Sequence, residues 1–254
     1  MRCIPGWLIF QILCLECGYV CGGIIINNNG SLIHALVFDF DGLILNTEEP
    51  EFISWQKIYQ QNGARLELTE WLACVGASLE VFDPVENLQA RVSEPLDLQK
   101  IQTERRRLFD QYMAEMPLQP GVAEYLQQAK SLGLKVAVAS SSGANWVIPY
   151  LEQYQIKHLF DAICVREDVQ KVKPDPALYT LAVKRLGVNP HQALAFEDSY
   201  NGLLAAKQAG LFCVAVPNVI TQGLDFSTAD KILESLADCS LTDLMMEISD
   251  HRNR

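Results

Sequence analysis

Five short apolar runs along the chain predict β-strands that are buried on both faces. They are rich in Val, Ala and Phe and lack the polar alternation of a half-exposed strand. Between them, apolar residues recur at helical spacing, and several of these stretches end in glycine, a frequent helix stop. The runs are ALVFDF (35–40), KVAVAS (135–140), DAICV (161–165), ALAF (193–196) and FCVAV (212–216). This alternation predicts an α/β fold whose core is a Rossmann-like parallel sheet with helices on both faces.

One long interval interrupts the alternation of strands and helices. Residues 49–117 carry helical patterns and no strand-like run, although a crossover between parallel strands needs far fewer residues. We therefore expect a small α-helical cap domain at residues 49–117, inserted into an α/β core formed by residues 31–48 and 118–254. The cap is expected to cover the carboxyl edge of the sheet.

The N-terminal stretch is apolar but fits no element of the predicted sheet. We interpret residues 1–30 as an extension outside the fold, and a signal peptide over residues 1–21 is the alternative. Polar and helix-breaking residues interrupt the stretch, no small-x-small cleavage site follows it, and it is marginal as a membrane span. Three of its cysteines, Cys14, Cys17 and Cys21, could hold a metal but lack an evident fourth ligand, so their role stays open.

Composition and charge narrow the function classes. The chain has 254 residues, of which 49% are hydrophobic, which is enough for a sizeable core. Its formal net charge of −11 opposes binding to nucleic acid or to an anionic membrane, and we expect neither partner. The cysteines beyond the N-terminal stretch lie scattered in apolar contexts, which favours a reduced, cytoplasmic protein. Nothing in the sequence fixes the oligomeric state, and we favour a monomer.

Polar side chains follow the predicted strands where each strand ends. Because ligands bind at the carboxyl ends of strands in open parallel sheets, we expect these residues to converge on one edge. They are Asp39, Asp41 and Gly42 after the first run, Ser140, Ser141 and Ser142 after the second, Lys173 beyond the third, and Glu197 and Asp198 at the end of the fourth.

These motifs, in this order over roughly residues 35–235, resemble the haloacid dehalogenase superfamily, above all its β-phosphoglucomutase-like branch with a helical cap. DFDGLILNTE resembles motif I, which implies a nucleophile at Asp39 and an acid/base at Asp41. VAVASSS resembles motif II, with a phosphate-binding hydroxyl at Ser140, and KPDPALY resembles motif III, with Lys173. FEDSYNG resembles motif IV, with Glu197 and Asp198. One departure is Asn46, where the family usually has Asp; we expect it to support the loop.

The chemistry of these residue types is consistent with phosphoryl transfer. Residues two apart on an extended chain face the same side, so Asp39 and Asp41 can share a site. A hard cation such as Mg²⁺ would relieve the repulsion between Asp39 and Asp198, with Glu197 beside them and the backbone carbonyl of Asp41 as a further ligand. Lys173 would help to neutralise the substrate phosphate. The hydroxyl of Ser140, the amides from Ser141 onward and Gly42 would hold the phosphoryl oxygens.

These observations predict a Mg²⁺-dependent phosphatase that acts on a small phosphorylated metabolite through an aspartyl-phosphate. Taken singly, each motif is also compatible with a turn, a helix cap or a solvated lysine. A sugar phosphomutase is one alternative, and a non-catalytic phosphate-binding regulatory module is another. The presence of Asp41 disfavours dehalogenation. A haloacid has no alkoxide leaving group, so its reaction needs no acid at this position. Phosphonate cleavage needs a cap lysine near the substrate, for which only Lys57 is a candidate.

Two sequence features favour the phosphatase over the mutase. The resemblance to β-phosphoglucomutases implies a hinge histidine and a cap arginine that holds a second phosphate. Counting from Asp39, the histidine's place falls at Glu51, and residues 75–83 contain no arginine. We interpret ERRR (104–107) as a solvated helix face. Three tryptophans, at positions 55, 71 and 146, are interpreted as core or cap packing.

Overall fold

The computed structural model describes residues 33–72 and 82–252. The first 32 residues, with the cysteine cluster, lie outside this part of the chain. The stretch 73–81 also lies outside it and includes most of residues 75–83, the segment that lacks a cap arginine. The strands are β1 (Ala35–Phe38), β2 (Lys135–Ala139), β3 (Ala162–Cys164), β4 (Ala193–Glu197), β5 (Phe212–Ala215) and β6 (Lys231–Ile232).

Within the described residues the helices fall into two groups. Between β1 and β2 lie α1 (Glu48–Gln61), α2 (Leu68–Trp71), α3 (Pro84–Gln89), α4 (Leu98–Met113) and α5 (Val122–Ser131). The later helices are α6 (Ala144–Gln153), α7 (Ala177–Leu186), α8 (Tyr200–Gln208) and α9 (Leu241–Arg252).

All six strands pair in parallel, in the order β3-β2-β1-β4-β5-β6. Strand β1 lies inside the sheet, with Ala35 opposite Lys135 on one side and opposite Ala193 on the other. The α/β fold with a Rossmann-like parallel sheet is therefore confirmed. The sequence missed β6, because an edge strand of two residues carries too short a pattern.

The inner positions of strands β1 to β5 are apolar because both faces of the sheet are covered. On one face, large side chains such as Phe38 and Phe196 stack with ring centroids 4.8 Å apart and pack against α5, α6 and α9. On the other face, small side chains such as Ala137 and Ala195 contact α7 and α8. A fully buried Phe, Leu or Val contributes about 1.5–3 kcal/mol to folding, so this two-sided core fixes the strand ends that carry the polar residues.

Helices α1 to α4 form a third apolar cluster above the carboxyl edge of the sheet. Phe52, Trp55 and Ile58 of α1 pack with Ile101 and Leu108 of α4, and Ile220 from the loop after β5 joins them. The domain boundaries at residues 48/49 and 117/118 stay a prediction.

Candidate active site

The loops that leave the sheet's carboxyl edge bring most of the expected polar residues together. Asp39 follows β1 directly, and its backbone N–H donates to the Phe196 carbonyl at 3.0 Å. Ser140 follows β2, and its N–H donates to the Cys164 carbonyl at 3.0 Å. These bonds continue the parallel ladder for one residue beyond each strand. The side chains that chemistry requires are thereby fixed by the backbone of the sheet.

Three buried carboxylates form a cluster at this edge. One carboxylate oxygen from each of Asp39, Glu197 and Asp198 lies within 4.8 Å of the others. All three residues are buried, with Glu197 completely inaccessible and Asp39 only 6% exposed. Burial, together with repulsion inside the cluster, raises the pKa of Asp39 and of Asp198 well above the usual range. The three carboxylates repel one another and offer only oxygen ligands, which suits the binding of a hard divalent cation.

Lys173 compensates part of this negative charge. Its Nζ donates to Asp39 and, at 2.6 Å, to Glu197 Oε1, and its side chain is 5% exposed. Burial alone would lower the pKa of Lys173, but the charges of Asp39 and Glu197 hold that pKa above its ordinary value. The lysine is therefore a buried cation between two carboxylates. Tyr179 donates its hydroxyl to the same Glu197 oxygen at 2.5 Å.

Gly42 allows the loop after β1 to approach Asp198 closely. A Cβ at this position would lie 1.9 Å from Asp198 Oδ2, and the φ angle of Gly42 is +82°. The Gly42 N–H donates to the Leu45 carbonyl at 2.7 Å, so this amide is engaged within its own loop instead of facing a phosphate. Asn218 closes the arrangement, donating to Asp198 Oδ2 at 2.7 Å and to the Gly42 carbonyl at 3.3 Å.

The carboxylate of Asp41 accepts four hydrogen bonds from the part of the chain that the structure describes, and it stands apart from the acidic cluster. Oδ1 accepts from Thr47 Oγ1 at 3.2 Å and from the indole Nε1 of Trp146 at 2.8 Å. Oδ2 accepts from Ser142 Oγ at 2.6 Å and from Ser140 Oγ at 3.3 Å. The Ser140 hydroxyl also accepts from the Ser142 N–H at 2.9 Å, which makes the serine loop and Asp41 one connected network.

A cavity of about 840 Å³ joins this edge of the sheet to the helices above it. The core contributes Asp39, Asp41, Ser141, Ser142, Lys173 and Asp198 to its lining. The helices between β1 and β2 contribute Glu48, Glu51, Trp71, Arg105, Arg106 and Phe109. Ser140 is fully buried behind this surface. The size and the charged lining suit a small polar molecule.

Two arginines of the ERRR motif line the cavity, and for Arg105 the prediction of a solvated helix face is wrong. Arg105 donates to both carboxylate oxygens of Glu51 at 2.7 and 2.8 Å, and its side chain is only 17% exposed. Arg106 lies over the rings of Phe109 and Trp146. The side chains of Arg106 and Arg107 are 56% and 57% exposed, as expected for a solvated face, and Arg107 pairs with Glu104. Adjacent helix residues point about 100° apart, so a run of like charges does not share one environment.

Glu48, the first residue of α1, lines the cavity and was not predicted from the sequence. Burial, followed by the charges of Asp41 and Glu51, raises the pKa of Glu48 to about 7. Asn46 supports the loop into α1, with its side chain bonded to the Glu49 side chain and backbone. Lys57 is exposed and bonds Gln60 at 3.4 Å, away from the cavity lining.

In the described part of the chain, no helix is long and apolar enough to span a membrane.

The chain is similar to known proteins in both sequence and structure. A family model for haloacid dehalogenase-like hydrolases matches residues 36–216. The "Putative phosphatase YhcW" of Bacillus subtilis (strain 168) is 44% identical over 87% of this chain and 99% of its own. The "Phosphorylated carbohydrates phosphatase" of Thermotoga maritima is 30% identical over 70% of this chain and 82% of its own. A crystal structure of a CbbY mutant from Rhodobacter sphaeroides in complex with xylulose-(1,5)bisphosphate matches with a TM-score of 0.63, 30% identity, and coverage of 84% and 99%.

Proposed function

This chain belongs to the haloacid dehalogenase-like hydrolase family, and from that premise we propose that it is a Mg²⁺-dependent phosphatase that works through an aspartyl-phosphate at Asp39. Membership identifies it as an enzyme of the phosphoric monoester hydrolase type. The observation that carries the mechanism is the buried cluster of Asp39, Lys173, Glu197 and Asp198 beside Asp41, at the floor of a cavity.

The carboxylates of Asp39, Asp198 and Glu197 would hold the Mg²⁺ ion, with the Asp41 backbone carbonyl as a further ligand. When bound, the ion supplies positive charge that offsets both the acidic cluster and the substrate phosphate. The preference for Mg²⁺ over softer metals rests on the absence of His and Cys from this cluster in the described residues.

Hydrolysis of the phosphoester proceeds in two steps. In the first, an Asp39 carboxylate oxygen forms a bond to phosphorus while the bond from phosphorus to the leaving oxygen breaks. Asp41 gives its proton to that oxygen, and the alcohol leaves. In the second, Asp41 takes a proton from water as the water oxygen attacks phosphorus, which releases phosphate and restores Asp39. Lys173 stabilises the charge on the transferred group throughout.

The substrate class is a small phosphorylated metabolite. The phosphorylated carbohydrates phosphatase of Thermotoga maritima and the xylulose-(1,5)bisphosphate complex of CbbY from Rhodobacter sphaeroides make phosphorylated carbohydrates the first compounds to screen. The cytoplasmic location and the monomeric state remain predictions; buried, unpaired Cys164 and Cys213 are consistent with a reducing compartment.

Release of phosphate from p-nitrophenyl phosphate tests the proposal. We expect turnover with Mg²⁺, none in excess EDTA, and recovery when Mg²⁺ is restored. Ca²⁺ should support much less activity, because its larger and looser coordination shell misplaces the attacking carboxylate. Full activity in EDTA would refute the metal role, and an enzyme inactive with Mg²⁺ on every phosphoester screened would refute the phosphatase assignment.

A sugar phosphomutase is the second candidate, and one observation favours it. Arg105 and Arg106 line the cavity, so the upper wall does offer cations that could meet a second phosphate. However, Glu51 already neutralises Arg105, and Asp110 pairs with Arg106 at 2.9 Å, which leaves little net positive charge. Incubation with β-glucose 1-phosphate and catalytic glucose 1,6-bisphosphate separates the two. Glucose 6-phosphate formed faster than free phosphate would favour the mutase.

A further inference from the structure

We propose that Trp146 is a positioning residue that orients the Asp41 carboxylate for proton transfer to the leaving group. The inference rests on the proposed function, because it assigns Asp41 the role of acid. From its sequence context alone, Trp146 is interpreted as packing, and a residue that acts only by packing would affect all substrates alike. The two roles therefore differ in a measurable way.

Among the described residues, Trp146 is the one donor to Asp41 whose direction is fixed. Of the four donors, three are hydroxyls, which rotate about their C–O bonds to follow a moving acceptor. The indole N–H lies in the plane of its ring and only donates. Its 2.8 Å bond to Oδ1 and the 2.6 Å bond from Ser142 to Oδ2 are the two short contacts, one to each oxygen. These two hydrogen bonds together orient the plane of the Asp41 carboxyl group. The indole N–H cannot rotate to follow the carboxyl group as a hydroxyl can.

The indole itself is held from two directions. Tyr150, one turn further along α6, packs edge-on at a centroid distance of 4.7 Å. From above, Phe109 of α4 lies 5.6 Å away, and the Arg106 guanidinium lies 5.8 Å from the ring centroid. Aromatic pairs at such distances contribute about 0.5–1.5 kcal/mol beyond burial. Trp146 therefore connects Asp41 to the helix that forms the upper wall of the cavity.

Loss of this orientation should matter most where the leaving group needs a proton. Phenol is a weaker acid than p-nitrophenol, so phenyl phosphate depends more on Asp41 than p-nitrophenyl phosphate does, although the two esters have nearly the same shape. The value of kcat/KM reports the steps up to formation of the aspartyl-phosphate, in which the leaving group departs. The ratio of kcat/KM for the two esters therefore measures how much proton donation by Asp41 contributes to the first step.

Two substitutions separate the N–H from the ring. Trp146→Phe keeps an aromatic ring against Phe109 and removes the donor. Trp146→His keeps an N–H near the original indole position, since the five-membered rings overlay, but removes the benzo ring that packs on Phe109. Trp55→Phe is a matched control, because it removes an indole N–H that donates to Glu51 at 3.2 Å and not to Asp41.

We expect Trp146→Phe to lower kcat/KM about tenfold for phenyl phosphate and less than about threefold for p-nitrophenyl phosphate, a fraction of the 10²–10⁴ that a general acid contributes. Trp146→His should keep the wild-type ratio between the esters and raise KM for both. Trp55→Phe should change both esters by the same factor. Thermal unfolding of each variant checks that it is folded.

Equal losses on the two esters in Trp146→Phe, or a changed ratio in Trp55→Phe, would overturn the role of Trp146 while leaving the phosphatase assignment intact. If Trp146→Phe does not fold, Trp146→His decides: a lowered phenyl to p-nitrophenyl ratio despite its retained N–H overturns the role. A wild-type enzyme without Mg²⁺-dependent turnover of either ester would instead refute the proposed function itself.

Discussion

Replacing Lys173 with Met should destabilise the protein strongly, because it leaves two buried carboxylates without their cation. The side chain of Lys173 is 5% exposed, and the side chains of its partners Asp39 and Glu197 are 9% and 0% exposed. Removal of one partner from a buried ion pair costs about 3–5 kcal/mol in free energy of unfolding. For a chain of this size, that corresponds to a fall in Tm of roughly 6–20 °C.

Chemical denaturation at pH 8 in EDTA measures this effect without help from a divalent ion. Lys130→Met is the matched control, since Lys130 pairs with Asp161 at 2.8 Å with about a third of each side chain exposed. An exposed pair contributes at most about 1 kcal/mol. A loss in Lys173→Met no larger than in the control would refute the argument that Lys173 compensates the cluster.

The pH dependence of Lys173→Met gives a second check. In the wild type, Lys173 lowers the pKa of Asp39, which burial raises. Without the lysine, that pKa rises further in the folded state. The stability deficit should therefore be complete at high pH and shrink as the pH falls through the raised pKa, because protonation removes the uncompensated charge. A deficit that grows toward acid pH would contradict this assignment.

Three further predictions address the loop after β1, the cavity wall and the N-terminal stretch. Gly42→Ala should raise the Mg²⁺ concentration for half-maximal activity and lower the free energy of unfolding by about 1–3 kcal/mol, because the added Cβ would displace Asp198. Gly63→Ala is the control: Gly63 also has a positive φ but faces open space, so this variant should leave Mg²⁺ activation unchanged. Glu48→Gln should stabilise the protein in EDTA by about 1–3 kcal/mol at pH 8 and hardly at pH 4, because wild-type stability falls as Glu48 ionises between its ordinary pKa of 4.5 and about 7; a pH-independent difference in denaturation midpoint would contradict this. A chain that starts at residue 31 should be soluble and hydrolyse p-nitrophenyl phosphate at the wild-type rate, and an insoluble or inactive product would show that the extension packs on the fold.

The sheet and the convergence of the motifs could be predicted because each depends on a local pattern. A strand buried on both faces is apolar along nearly its whole length, and Leu36, Val37 and Phe38 show this directly. The carboxyl ends of parallel strands then meet at one edge whatever the loops between them do. Residues directly after a strand, such as Asp39 and Ser140, are consequently placed by the topology alone.

Other residues of the site depend on tertiary contacts that no local pattern encodes. Trp146 lies in an amphipathic helix, and its bond to Asp41 spans 105 positions. Asn218 reaches Asp198 from a turn after β5. Arg105 did carry a signal, since it lies four residues after Ile101 and four before Phe109 and therefore shares their buried face. Helical spacing within ERRR was thus informative, whereas its total charge was not.

Trapping of the phosphoryl group on Asp39 tests the central claim most directly. Asp41→Asn should still be phosphorylated by p-nitrophenyl phosphate, whose leaving group needs little protonation, but should hydrolyse the aspartyl-phosphate slowly because the base is missing. Acid quench and peptide mass spectrometry should then find one added phosphoryl group on Asp39. The double variant with Asp39→Asn should show neither the adduct nor turnover. Turnover that persists without Asp39, or an adduct on another side chain, would contradict the account.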